Sequence, residues 1–204
     1  MKNIVTALFV LLFVTVLKAQ NDDEIQTLLG NDLKYGAYGS FDMRFSNFNN
    51  KAGLLLGGKG GIILNHQLVI GGGGYGLTNR THITLSDGMG NDSTGRLNFG
   101  YGGVLLEYIA FHAKAVHFSV PLLIGSGSAK IYSYDFNFFD NSLIEASTFM
   151  VLEPGIDIEL NLLSFMRFGI GASYRYIAGT YMENLNDGQL SGLSINASFK
   201  FGYF

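Results

Sequence analysis

From Tyr35 to the last residue, apolar and polar positions alternate with a period of two, the signature of strands with two unlike faces. Met150, Leu152, Pro154, Ile156, Ile158 and Leu160 share one parity, and Glu153, Gly155, Asp157 and Glu159 share the other. Met166, Phe168, Ile170, Ala172, Tyr174 and Tyr176 alternate with Arg167, Gly169, Gly171, Ser173 and Arg175. Leu193 to Tyr203 and Ala37 to Phe45 repeat the arrangement, with Lys200, Asp42 and Arg44 on the polar side. The pattern predicts eight strands over 35–45, 52–64, 68–79, 96–110, 116–130, 147–160, 165–179 and 190–203. Turn-forming residues separate them. The connections 46–51, 65–67, 80–95, 111–115, 131–146, 161–164 and 180–189 alternate between longer and shorter, with both chain ends on the short-turn side. An all-β, up-and-down antiparallel transmembrane barrel of eight strands has this layout. A helical span over 60–79 is excluded by Asn65, His66, Gln67 and the run Gly71–Gly74, since each helical glycine costs about 1 kcal/mol relative to alanine.

Charge decides which face meets what. In a soluble barrel the uncharged face is the core; in a membrane barrel it is the outer wall. The uncharged face here is large and aromatic, too bulky for the lumen of eight strands. The other face carries five acids (Asp42, Glu107, Glu153, Asp157, Glu159) and five bases (Arg44, Lys59, Arg167, Arg175, Lys200). Such a balance suits a confined lumen, where an unpaired charge is costly. A basic side chain facing mid-bilayer lipid costs about 2–4 kcal/mol, which accounts for the strict exclusion. Glu153, Asp157 and Glu159 are expected to pair with Arg167 and Arg175 on the neighbouring strand rather than to bind cations. Two irregularities call for local adjustment. Glu107 shares the parity of Phe99 and Tyr101, which requires a bulge or a position at the periplasmic end, and Pro121 and Pro154 fall inside predicted strands, where bulges could absorb them.

The segment before the barrel has its own pattern. Lys2, the uncharged run Ile4–Leu17 and the small Ala19 form a cleaved secretory signal peptide over 1–19. Residues 20–34, with Asp22, Asp23 and Glu24 and helix-spaced Ile25, Leu28, Leu29 and Leu33, make a periplasmic tail or short helix.

Composition narrows the function. Only 14% of the 204 residues are charged, there is no cysteine, and the formal net charge is −3, so disorder, disulfide scaffolds, thiolate metal sites and nucleic-acid binding are all disfavoured. His66, His82 and His112 lack ligand spacing, and Gly71–Gly76 lacks the Lys-Ser/Thr of a phosphate loop, so no metal or cofactor is expected. The long connection 131–146 alternates Tyr132, Tyr134, Phe136 and Phe138 with polar residues, as a hairpin arm would. These aromatics form either a surface contact site or an interfacial girdle.

Tyr101-Gly102-Gly103 leading to Leu106-Glu107-Tyr108, the stretch His117–Gly127, Leu152-Glu153-Pro154-Gly155, Ser173-Tyr174-Arg175 and the ending Phe199–Phe204 together resemble the small eight-stranded outer-membrane β-barrel proteins of Gram-negative bacteria. The resemblance implies an eight-stranded transmembrane barrel inserted by the outer-membrane assembly machinery, and often no assigned activity; outer-membrane lipid is the expected surrounding and a monomer the expected state. Phe204 fits the usual terminal insertion signal, although Tyr203, Phe201 and Phe199 are offset by one from its usual spacing. His117 and Ser119 have the His-x-Ser spacing of outer-membrane enzymes that deacylate lipid, but on the predicted lumen side and away from lipid. A non-enzymatic barrel with a charge-plugged lumen and contact-making loops is therefore the leading reading. The alternatives are a narrow pore for ions or small solutes, a lipid-modifying enzyme and a secreted carrier resembling lipocalins.

Overall fold

The computed structural model describes residues 33–48, 51–79, 81–86, 92–133 and 142–204. The signal-peptide expectation and all but the last two residues of the 20–34 segment lie outside these. The strands are β1 (Tyr35–Phe48), β2 (Lys51–Leu64), β3 (Leu68–Leu77), β4 (Thr81–Ser86), β5 (Asp92–Ala110), β6 (Val116–Ser133), β7 (Leu143–Leu163), β8 (Met166–Ala178) and β9 (Gly192–Tyr203). A single helical turn, α1 (Asp187–Leu190), precedes β9.

Every strand runs antiparallel to its neighbours, in the order β3-β2-β1-β9-β8-β7-β6-β5, and β3 pairs with β5 to close a ring of eight. The expected fold class is what forms. β4 stands outside the ring: it pairs with the first residues of β5, Thr81 opposite Leu97 and Ser86 opposite Asp92. Much of the connection expected over 80–95 is thus paired strand rather than loop.

Turns at the terminal end of the ring, where Tyr35 and Tyr203 lie, are short. Asn65 and His66, with φ of 51° and 59°, form the two left-handed positions of a turn closed by Gln67 N–H donating to the Leu64 carbonyl at 3.0 Å. This is the turn geometry that matches strand twist. At the opposite, loop end, the first connection departs from expectation, because β1 and β2 stay paired to Phe48 and Lys51 and leave only 49–50 between them. β5, β6 and β7 run to 19, 18 and 21 residues, against at most 14 in the other strands, and extend beyond them at this end. Tyr132 lies on this arm; Tyr134, Phe136 and Phe138 fall outside the described residues.

Burial follows parity around the ring. Phe41, Phe45, Ile156, Ile158, Ile170, Ile195, Phe199 and Phe201 are exposed on the outer wall. Asp42, Arg44, Lys59, Glu107, Glu153, Asp157, Glu159, Arg167, Arg175 and Lys200 are all buried inside. Three local expectations need correction. β5 carries no bulge at Glu107: Phe99, Tyr101, Leu105 and Ile109 point inward with it, and the outward residues are Val104, Leu106 and Tyr108. The prolines are taken up without a register shift, since Ser119 faces Asp157 and Leu122 faces Pro154 in one continuous register. Shifts among the described residues occur instead at Ile131/Tyr132 and Asn161/Leu163. The last strand begins at Gly192 rather than at 190, because Asn186 and Gln189 cap α1 reciprocally and hold Leu190 in the helical turn.

Candidate functional site: the barrel interior

The interior is built in three layers. At the loop end, Phe48, Leu97, Phe99, Ile131, Phe149 and Ile177 form an apolar layer. Phe99 stacks on Phe149 with ring centroids 5.1 Å apart, and Phe48 meets Phe99 edge-on at 5.0 Å. Leu185 and Leu190, from the segment carrying α1, are fully buried in the same cluster, so this connection folds down into the mouth. At the terminal end a smaller layer holds Tyr38, Ile63, Val69, Leu105 and Ile109, with Phe204 packed against it. Large apolar side chains therefore do occupy the lumen, at its two ends rather than along its whole height.

Between them lies the charged layer. Lys200 Nζ donates to Glu107 Oε1 and Glu159 Oε1, each at 2.5 Å. Lys59 Nζ donates to Asp157 Oδ2 at 2.9 Å and stands 3.7 Å from Glu107 Oε2. The Tyr38 hydroxyl donates to Glu107 Oε2 at 2.5 Å. These contacts join β1, β2, β5, β7 and β9 across the ring into one chain of alternating charge. Gly171 makes room for it, since a Cβ there would collide with the Asp157 carboxylate and the Ile156 carbonyl.

A second group centres on Glu153, which accepts from Arg44, from the Tyr101 hydroxyl at 2.6 Å and from Ser173 Oγ at 2.6 Å. The Arg44 guanidinium also lies 3.4 Å from the Tyr75 ring centroid, and the Tyr75 hydroxyl donates to Asp42 Oδ2 at 2.7 Å. Charge-assisted bonds of this kind are roughly twice as strong as neutral ones, and each partner offsets the desolvation of the other.

The cross-strand pairing expected of the acidic cluster forms only in part. Arg167 Nη1 stands 3.9 Å from Glu159 Oε2, whereas Glu153 and Asp157 pair with Arg44 and Lys59 across the lumen. Arg175 makes no ion pair among the described residues. Its Nε donates to the Leu190 carbonyl at 3.0 Å, its Nη2 donates to Ser46 Oγ at 3.2 Å, and its guanidinium lies 4.3 Å from the Phe48 ring centroid. An aromatic face and a backbone carbonyl take the place of a carboxylate, and α1 is pinned over the mouth as a result.

His117 and Ser119 are fully buried on the lumen side, and both turn to Glu159. Ser119 Oγ donates to Glu159 Oε1 at 2.5 Å, and His117 Nε2 lies 3.2 Å from Glu159 Oε2 and 3.3 Å from Arg167 Nη1. No hydrogen bond joins the histidine to the serine, so the contact that would activate a nucleophile is absent. His66 and His112 stack at the terminal end with ring centroids 5.4 Å apart. Among the described residues no three His, Cys, Asp or Glu side chains converge as a metal would require.

Residues that charge alternation did not single out complete the network: Tyr38, Tyr75, Tyr101, Ser173 and Asn196. The legible signal was parity, since Tyr38 and Ser173 share the face of the charged residues on their own strands.

No protein-family model matches the sequence, and no curated protein matches it. Solved structures do match the fold. The crystal structure of Neisserial surface protein A superposes over 84% of this chain and 99% of its own, with a TM-score of 0.55 at 11% identity. The N-terminal β-barrel domain of OprF from Pseudomonas aeruginosa matches over 81% of this chain and 97% of its own, with a TM-score of 0.50 at 8% identity. The chain has the fold of the small eight-stranded outer-membrane β-barrels of Gram-negative bacteria. At these identities the likeness is one of fold.

Proposed function

We propose that this protein is an integral outer-membrane barrel without catalytic activity, whose sealed interior holds the wall rigid while the loop end makes contacts outside the cell. The observation that carries this reading is the opposition of the two faces. Phe41, Ile158, Ile170, Phe199 and many other large apolar side chains are exposed, while ten acidic and basic side chains are buried inside. Water on such a wall would be strongly unfavourable, at about 25 cal/mol per Å² of apolar surface, whereas lipid matches it. Outer-membrane lipid is then the solvent of the outer wall, the outer-membrane assembly machinery is what inserts it, a cleaved signal over 1–19 exports it, and the protein is a monomer. The terminal end with its short turns lies in the periplasm, and the β5–β6–β7 arm with Tyr132 projects outward as the surface for structural, adhesive or binding roles.

The pore reading is opposed by the two apolar layers and the ion pairs between them, the enzyme reading by the shared commitment of His117 and Ser119 to Glu159. A soluble carrier would need its apolar surface inside. Electrophoresis of the folded protein with and without boiling tests the membrane reading, since a detergent-resistant barrel migrates differently once heated and identical bands would refute it. Planar-bilayer recording tests the seal, and a steady open current would refute it.

A further inference from the structure

The terminal mouth of the ring opens on two adjoining cavities of about 370 and 400 Å³ that share His112. Gln67, Phe111 and Lys114 line the smaller one; Asn161, Ser164, Arg167 and Phe204 line the larger. No Asp or Glu side chain lines either. Each cavity instead holds a base, Lys114 in one and Arg167 in the other, and His66 stacks on the shared His112. Phe111, at a φ of 57°, turns the chain sharply here, and Lys114 N–H closes the turn on its carbonyl at 2.9 Å.

Arg167 is nine-tenths buried, yet its Nε has no hydrogen-bond partner, and neither does the buried Nδ1 of His112. The carboxylate that Arg167 meets as an ion pair, Glu159 at 3.9 Å, is already held at 2.5 Å by both Lys200 and Ser119, while Nη1 lies 3.3 Å from His117 Nε2 and the guanidinium lies 3.7 Å from the Phe204 ring centroid. Among the side chains lining this mouth, basic groups stand without acidic ones. The same imbalance acts on His112, whose pKa is held below the ordinary histidine value by burial and then by His66, Arg167 and His117. The unpartnered Nε edge of this guanidinium is a charged donor suited to an oxyanion.

We propose that this mouth is a binding site for a phosphate group, held by Arg167 and His112. The group is carried either by a small soluble phosphate or by the headgroup of a phospholipid, for which the exposed Leu162 and Leu163 in the larger cavity offer an apolar flank. The site is independent of any role for the loop end.

The test uses the full chain, folded in a phosphate-free maltoside detergent, with the His112 ring followed by NMR while inorganic phosphate is added. A parallel arm places the protein in nanodiscs of phosphatidylglycerol and then of a phosphate-free glycolipid. Saturable movement of the His112 resonances, with a rise in its pKa on binding, is the expected result. Arg167→Gln should weaken the response at least tenfold, and Lys130→Gln, on the outer wall near the far end, should leave it unchanged. Response to inorganic phosphate assigns a soluble ligand, and response to phosphatidylglycerol alone assigns a lipid headgroup. If neither probe moves His112, or if Arg167→Gln binds as tightly as the parent, the site does not exist. Should Arg167→Gln fail to show heat-modifiable migration, His112→Gln, confined to a turn, replaces it; phosphate affinity read by calorimetry must then fall at least threefold, and an unchanged affinity overturns the proposal.

Discussion

The two faces of β8 and β9 differ by one residue of phase and obey opposite rules. Outward, Ile170, Phe199 and Phe201 lie exposed and uncharged; inward, Arg167, Arg175 and Lys200 lie buried and ionised. On the outer wall each side chain acts nearly alone, so what matters there is its affinity for the surrounding medium. In the interior each charge is tied to partners several strands away, so the loss of one group leaves others stranded. The same sheet should thus tolerate exchange of one apolar residue for another on its outer side and resist replacement on its inner side.

The sharpest break of that comparison is Lys200→Met. It strands Glu107 and Glu159 together and is expected to destabilise the barrel by about 3–5 kcal/mol, read as a lowered urea midpoint. Ile170→Arg probes the other face at mid-strand, and a cost of about 2–4 kcal/mol in lipid vesicles is expected, against little change for Ile170→Leu. If Ile170→Arg were neutral, the outer wall would not be facing hydrocarbon.

Arg175→Met removes the charge-assisted donor to the Leu190 carbonyl, so about 1.5–3 kcal/mol should be lost, with faster hydrogen exchange confined to 179–191. Asn186→Ala deletes the cap of α1 and should cost about 1 kcal/mol, local to the same segment. The smallest effect is a pH dependence of that connection. Burial raises the pKa of Asp187, but the Gly179 and Thr180 backbone N–H groups, donating to its carboxylate at 3.2 and 2.8 Å, outweigh it and hold the carboxyl below its usual value. With a depressed folded-state pKa, this contribution is present above the ordinary aspartate pKa and is lost as pH falls through the lowered one. Hydrogen exchange of the Thr180 amide should accelerate over that acid range relative to strand amides, and a flat ratio would show that Asp187 does not hold the loop.

Parity along the sequence makes much of this architecture legible. The alternation of Arg167, Ser173 and Arg175 with Phe168, Ile170 and Tyr174 separates the two faces of β8, and eight such segments joined by turn residues lead to the ring. What alternation cannot convey is what closes the ends. Phe99 and Tyr101 look like wall residues that clash with Glu107, yet they point inward because the loop-end lumen is apolar, a fact set by Leu185 and Leu190 folding back from a distant connection. Arg175 reads as a partner for the acidic cluster, but its height in the barrel places it level with Phe48 and the Leu190 carbonyl instead. Partners across a lumen lie many residues apart in sequence, such as Lys59 and Asp157, and their pairing depends on strand stagger rather than on local pattern.

The central claim is the direction in which the apolar face points, and the absence of cysteine from the chain allows it to be measured cleanly. Single cysteines placed in turn at Ile195, Ala197, Phe199 and Phe201 on β9, and at Ile170 on β8, can each carry a nitroxide in lipid vesicles. Membrane-dissolved oxygen should relax every one of these labels strongly while a water-soluble nickel complex leaves them untouched. If the nickel complex reached Ile170 and Phe199 as readily as a loop site, the outer wall would face water and the account would be wrong.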